Sequence, residues 1–317
     1  MENNFIYLDN ASTTPLSENV LNIINSTYRN YWHNPSSTYE LGIKCSTYLE
    51  KIRSKIAYIF EAEPEDIIFT SGSSESTNIV FNNIYENFKN GRVVISNVEH
   101  QATTICANKL RKQNWDIYEW TVNNDGILNI SNIDKILTNE TKLVSIIWGQ
   151  SEIGTIQPVQ FIGSKCEELN IMFHLDGTQI LSNGIFSWKD LKCDFLSLSA
   201  HKFGGPKGIG ILLTKEKSRQ ILKNKDISLT QEFSIRQGTQ ALPLIAGMYE
   251  SLKNIKGKIK LYDYITEFPS NNINKLKNYF FQKIKDNNHI KITGSINQRL
   301  PNCLLYTSPS PRDSRRS

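Results

Sequence analysis

From about Asp66 to Thr214 the chain alternates short β-branched runs with amphipathic stretches, and this alternation constrains the fold more than any other feature. Ile67–Thr70, Val93–Ser96, Asp116–Val122, Leu143–Trp148, Ile171–Asp176 and Phe195–Ser199 read as strands. The segments between them are of the kind that crosses from one strand to a parallel neighbour, so an α/β fold with a mainly parallel sheet covered by helices is expected. Between the first two strands Val80, Phe81, Ile84, Tyr85 and Phe88 fall at helical spacing, which predicts a crossover helix with one apolar face on the sheet. Ser17–Asn30 and Leu41–Phe60 are helical in character and precede the sheet as an arm. Beyond Leu242 helices dominate, including Asn271–Lys285, whose Leu276, Tyr279, Phe280 and Ile284 share a face.

Charge and cysteine content exclude several classes of function. The net charge is +5, but the last fifteen residues contribute +2 of it, and the remaining +3 is too small and dispersed to imply nucleic acid. The five cysteines form no C-x-x-C pair, which argues against a zinc site and against a secreted disulfide framework. His33, His174 and His289 have no metal-ligand spacing, so no metal is expected. Met1–Asn10 lacks a basic region followed by an apolar stretch, and no window approaches a membrane span. A cytoplasmic protein with reduced thiols is expected.

Four constellations carry chemistry. Thr70-Ser71-Gly72-Ser73-Ser74-Glu75-Ser76 joins a strand to a helix, and its free N–H groups, glycine and hydroxyls suit either a phosphate cradle or an ordinary helix cap. Asp176-Gly177-Thr178-Gln179 lies at the C-terminal edge of a strand, where open α/β sheets bind ligands; Asp176 reads as the partner of a pyridine nitrogen or as a turn former. Ser197-Leu198-Ser199-Ala200-His201-Lys202 follows another strand and leads into a glycine-rich turn. A lysine desolvated there can lose its proton and form an imine, whereas most lysines are simply solvated. Glu99-His100-Gln101 places an imidazole where it can stack on a flat ring, shuttle protons or serve a structural role.

Together with Tyr7-Leu8-Asp9-Asn10-Ala11-Ser12-Thr13-Thr14-Pro15, Asn34-Pro35-Ser36-Ser37, Glu152-Ile153-Gly154 and Arg236-Gln237-Gly238-Thr239, the order and spacing of these patterns resemble the cysteine desulfurases. That family lies in the class V branch of the aspartate-aminotransferase-like enzymes that use pyridoxal 5′-phosphate (PLP). The likeness covers roughly residues 5–302. It implies that Lys202 holds PLP as a Schiff base, that His100 stacks on the ring and assists proton transfer, and that Asp176 pairs with the pyridinium nitrogen. It implies further that Gln179 contacts the ring oxygen and that Ser74, Ser199, His201 and the backbone near Ser73 hold the phosphate. Thr239 resembles a threonine that reaches the phosphate of the neighbouring subunit, so a homodimer is implied. The implied reaction converts L-cysteine to L-alanine and passes sulfur as a persulfide to an acceptor protein, either an iron–sulfur scaffold or a tRNA-thiolation enzyme. Neither direct nucleic-acid binding nor a membrane is implied.

The departures shape the expected domain plan. Where the family shows paired asparagines this chain has Gln150-Ser151, which makes Gln150 a provisional contact to the cofactor. The family's loop cysteine and carboxylate-binding arginine have no counterpart here, and Cys303 lacks the neighbours of a nucleophile. Residues 16–245 are expected to form a large PLP-binding domain, with 1–15 and 246–302 an incomplete small domain. Residues 303–317 match what a sequencing adapter encodes in frame and are expected to be a non-native tail outside any core, leaving the chain impaired as an enzyme. Other class V enzymes, such as a selenocysteine lyase or an aminotransferase, share Lys202 and Asp176, and a PLP-free scaffold remains a separate class.

Overall fold

The computed structural model describes residues 7–223, 231–270, 272–287, 289–303 and 306–307. Strands β1 (Ile67–Thr70), β2 (Arg92–Ser96), β3 (Asp116–Trp120), β4 (Thr141–Ile147), β5 (Met172–Asp176), β6 (Phe195–Ser199) and β7 (Gly210–Thr214) form one sheet in the order β1-β7-β6-β5-β4-β2-β3. From β3 through β6 all pairings are parallel, and only β7 runs the other way, between β6 and β1. The mainly parallel α/β sheet is therefore as the alternation predicts. β7 is the strand that the pattern does not announce: it is buried throughout and returns antiparallel after a glycine-rich turn instead of a helical crossover.

Helices α1 (Glu18–Asn30), α2 (Glu40–Phe60), α3 (Ser73–Asn87), α4 (Gln101–Arg111), α5 (Ile133–Ile136), α6 (Val159–Glu168), α7 (Glu216–Leu222) and α8 (Leu242–Leu252) surround the sheet. Ser17 caps α1 through its side-chain oxygen, which accepts from Val20 N–H, as the sequence suggests for a helix start there. Alternation along each strand divides the apolar residues between two cores: Ile67 and Phe69 enter one, Ile68 the other with Val80, Phe81 and Ile84 of α3. The predicted crossover face is thus correct for those three residues, whereas Tyr85 remains 45% exposed.

The free edge of β1 meets a buried ion pair instead of another strand. Arg53 of α2 donates from Nη1 and Nη2 to the two carboxylate oxygens of Glu232 at 2.9 and 2.8 Å, and from Nη1 to Ile67 O at 2.6 Å. Glu232 Oε2 in turn accepts from Phe69 N–H at 2.8 Å, so the pair satisfies the backbone on either side of Ile68. Glu232, Phe233 and Ser234 all have φ between 44° and 66°, an uncommon left-handed run for residues with side chains, and these bonds hold it in place.

Towards the C-terminus β8 (Lys260–Leu261) pairs with β9 (Thr266–Glu267), and β10 (Lys291–Ile292) pairs with β11 (Tyr306–Thr307). Helix α9 (Asn272–Ile284) buries none of its residues, and Leu276 and Tyr279 of its apolar face are 66% and 59% exposed. The expectation that residues from 303 onward stay outside any core is corrected at its first position. Cys303 is buried in the main core, its Sγ donating to Glu152 O at 3.1 Å, because the turn after Leu300 folds it against Gly154 and Arg299. Among the described residues no helix is long and apolar enough to cross a membrane.

Removing one partner of a buried pair strands the other charge, so Arg53→Met is expected to lower the unfolding free energy by about 3–5 kcal/mol in urea titration. Adding Glu232→Gln recovers part of that loss. A single-variant loss below about 1 kcal/mol would show the pair to be energetically idle.

Candidate active site

The parallel strands end on one side of the sheet, where Ser96, Ile147, Asp176 and Ser199 close β2, β4, β5 and β6. Over these ends lies a cavity of about 550 Å³, within the range of small-molecule sites. Lys202, His100, Asp176, Gln179 and Gln150 line it, as do Ser73, Ser74, Ser199 and His201. Of the residues expected to hold the cofactor, Thr239 alone lies elsewhere, exposed on the loop between the Glu232 turn and α8.

Most of the side chains that line the cavity are held. Asp176 closes β5, is 4% exposed, and accepts at Oδ1 from Thr178 N–H at 3.0 Å and Ser73 Oγ at 3.3 Å. Lys202 Nζ donates to Ala11 O at 2.8 Å and Ser12 O at 2.9 Å, and Gln179 Nε2 shares Ala11 O at 2.9 Å. Burial lowers the Lys202 pKa, while the charges of Asp176 and Asp9 work against that shift. His100 caps α4, its Nδ1 accepting from Ala102 N–H at 3.1 Å, which leaves Nε2 as the nitrogen that can carry the proton of the neutral ring. Gln150 Oε1 accepts from Glu152 N–H and Ile153 N–H, so its amide NH₂ is the end available for other partners. The His201 pKa is lowered by burial and by Lys202 and Lys207.

At the start of α3 the chain forms a cradle. Gly72 precedes the helix at φ +152°, and an added Cβ on Gly210 would sit 2.6 Å from Gly72 Cα and 2.3 Å from Leu198 O. Only glycine allows β7 to approach the cradle this closely. Ser73 N–H donates to Ser199 Oγ at 2.8 Å, joining the helix start to the end of β6. A second cavity of about 440 Å³ adjoins here, lined by Gly72, Ser73, Ser74, Ser199, His201 and Lys207 among others. Backbone N–H groups, hydroxyls and a lysine around a helix N-terminus form a setting suited to a phosphate.

A family model described as aminotransferase class-V matches residues 6–307. The chain belongs to that family. It is 29% identical over 302 residues to the mitochondrial cysteine desulfurase of Eremothecium gossypii, covering 94% of this chain and 60% of that protein. It is 32% identical over 310 residues to the mitosomal cysteine desulfurase of Encephalitozoon cuniculi, covering 96% and 70%. A solved structure titled SspA in complex with cysteine superposes with a TM-score of 0.82 at 26% identity, over 98% of this chain and 86% of that one. The chain thus spans about 60% of the length of the first curated relative.

The cofactor of this family is PLP, and the residues present fit it. The cradle suits its phosphate, and a buried carboxylate and a half-buried amine line the adjoining cavity. Two buried oxygens in that wall, Glu99 Oε2 and Thr178 Oγ1, lack partners among the described residues, so the cavity has unspent capacity for a polar ligand.

Two residues of the site escape pattern reasoning. Glu99 is visible only as the neighbour of His100. His174, which without metal-ligand spacing carries no signal, bridges three strands: Ser145 Oγ lies 2.8 Å from its Nδ1 and Ser197 Oγ 2.7 Å from its Nε2. It points to the same face as Asp176, two residues on. Burial pushes its pKa down to about 3, so the ring is neutral. The unfolded chain therefore takes up this proton first. Stability from a neutral His174 is intact above pH 6.5 and is lost as pH falls from 6.5 towards about 3. Between pH 6.5 and 5 the loss is expected to be about 2 kcal/mol more in the native chain than in His174→Gln, as read by urea unfolding. Equal pH slopes in the two proteins would contradict it.

Proposed function

We propose that this chain carries the PLP-binding machinery of a cysteine desulfurase, a reaction in which the substrate C–S bond breaks to give L-alanine as the sulfur bonds to a cysteine thiol and forms a persulfide, and that this thiol is not one of the five in this chain. The observation that carries the proposal is the convergence of Lys202, Asp176 and His100 on one cavity beside a phosphate cradle. The names of the relatives support the substrate.

When bound, PLP supplies an electron-withdrawing ring that takes up electrons released at the substrate α-carbon. The residues divide the remaining work. Lys202, with its pKa lowered by burial, is the amine that would hold the cofactor and could take up a proton from the substrate. Asp176, fixed by Thr178 and Ser73, would hold a proton on the pyridine nitrogen. His100 would lie against the ring, with Nε2 the nitrogen free to hold or move a proton. Gln179 and Gln150 would orient the ring by their amides, and Ser74, Ser199, His201 and the backbone near Ser73 would hold the phosphate. Ala11 and Ser12 close the Lys202 side of the cavity, and their carbonyls must release the amine when it reacts.

A homodimer fits the exposure of Thr239, which is then available to a phosphate in a second subunit. The partner that receives sulfur is an acceptor protein such as an iron–sulfur scaffold or a tRNA-thiolation enzyme. A cytoplasmic setting is consistent with five free cysteines. All five are buried, and burial pushes the Cys106 thiol up to about 11 and raises those of Cys166, Cys193 and Cys303. Those four therefore resist forming the thiolate that would take the substrate sulfur, and Cys45 is fully buried.

The purified chain is expected to turn yellow with PLP, and borohydride is expected to fix the cofactor on Lys202, as read by peptide mapping. L-Cysteine perturbs the absorbance without sustained release of alanine. A colourless protein in excess PLP, or an adduct on another lysine, would overturn the proposal; sustained alanine release would contradict the assignment of the five thiols as unreactive.

A further inference from the structure

Glu99 sits in the turn between β2 and α4 and lines the same cavity as Lys202 and Asp176. Its Oε1 accepts from Ser96 Oγ at 2.5 Å and from Ile147 N–H at 2.7 Å, which ties the ends of the adjacent strands β2 and β4. Its Oε2 is buried and has no hydrogen-bond partner among the described residues. Folded proteins seldom leave a buried carboxyl oxygen in that state unless a ligand or solvent meets it. Resting on the assignment of this cavity to PLP, we propose that Glu99 is a ligand-binding residue whose Oε2–H donates a hydrogen bond to an acceptor atom of the bound cofactor, while Oε1 fixes the turn that carries His100.

The geometry assigns the proton. An acid whose one oxygen already accepts two donors carries its hydrogen on the other, and that other oxygen is the unpartnered one. Ionisation would add a second buried negative charge near Asp176, with nothing at Oε2 to offset it. Burial pushes the Glu99 pKa up to about 8 and Asp176 adds to the rise, against the hydrogen bonds from Ser96 and Ile147. The remaining titratable groups around the cavity are Asp9, His100, Glu152, His201 and Lys202, and no hydrogen bond joins any of them to Glu99 among the described residues. Asp176 and Glu99 therefore have separate tasks in the cavity: the first faces a positive charge, and the second, as a neutral acid near neutral pH, donates to a lone pair. A purely structural Glu99 would need only Oε1.

The test uses 4′-deoxypyridoxine 5′-phosphate, which has the ring and phosphate but no aldehyde for Lys202 to attack, titrated calorimetrically from about pH 7 to about pH 9.5. The native chain is expected to lose roughly tenfold in affinity as the pH rises through 8, as a donor becomes a buried anion. Glu99→Gln, whose amide still donates, is expected to stay within about threefold of its pH 7 affinity. Glu99→Ala is expected to bind on the order of tenfold more weakly at pH 7, without the inflection. Identical pH profiles for the native chain and Glu99→Gln, or a Glu99→Gln as weak as Glu99→Ala at pH 7, would overturn the role of Glu99. Circular dichroism identifies a misfolded alanine variant, in which case the glutamine comparison alone decides. Failure of the native chain to bind the probe at any pH would instead sink the PLP assignment, and this proposal with it.

Discussion

The parallel pairing of β5 with β6 is the constraint on which the site depends. Asp176 stands opposite Ser197 in that register, so the end of β5 and the turn after β6 bring a carboxylate and the Lys202 amine to one cavity. A slip of one residue would send Asp176 to the other face of the sheet. The register is locked from within by His174, which hydrogen-bonds to Ser145 of β4 and Ser197 of β6 across three strands. A neutral imidazole with both nitrogens satisfied does this without placing a second charge beneath Asp176.

The electrostatics of the cavity follow from how its walls are built. Lys202 is half-buried, which favours the free amine, but Ala11 O and Ser12 O accept its hydrogens and Asp176 and Asp9 favour the ammonium. The balance leaves an amine that is easier to deprotonate than a solvated lysine yet still oriented. The cradle at α3 is linked to the rest through Ser73, whose N–H binds Ser199 and whose hydroxyl binds Asp176. One residue thereby connects the cradle to the charged end of the cavity. On the far side Arg236 pairs with Glu75 of α3 at 3.0 Å, so the strained turn held by Arg53 and Glu232 also braces the cradle.

Much of this was legible in the sequence because the strongest signals are local. Six strands follow from β-branched runs bounded by turn residues, and Asp176, Lys202 and His100 stand at or just past strand ends as candidates that the resemblance to the cysteine desulfurases singles out. The unread parts depend on contacts distant in sequence. β7 has strand composition but returns antiparallel through a tight turn, so the alternation rule does not reach it. The apolar face of α9 is correctly periodic but exposed, since periodicity identifies a face and not its partner. Cys303 sits in a stretch of tail-like composition, yet its neighbour Leu300 draws it into the core. His174 and Glu99 derive their importance from strands far away in sequence, and no spacing encodes that.

The central claim is that the Asp176 carboxylate faces the ring of a cofactor held by Lys202. Nitrogen-15 NMR of the chain loaded with pyridine-labelled PLP tests this most directly. The account predicts a protonated ring nitrogen in the native chain and a shift to the unprotonated position in Asp176→Ala, with the cofactor still bound. A ring nitrogen with the same chemical shift in both proteins would contradict it.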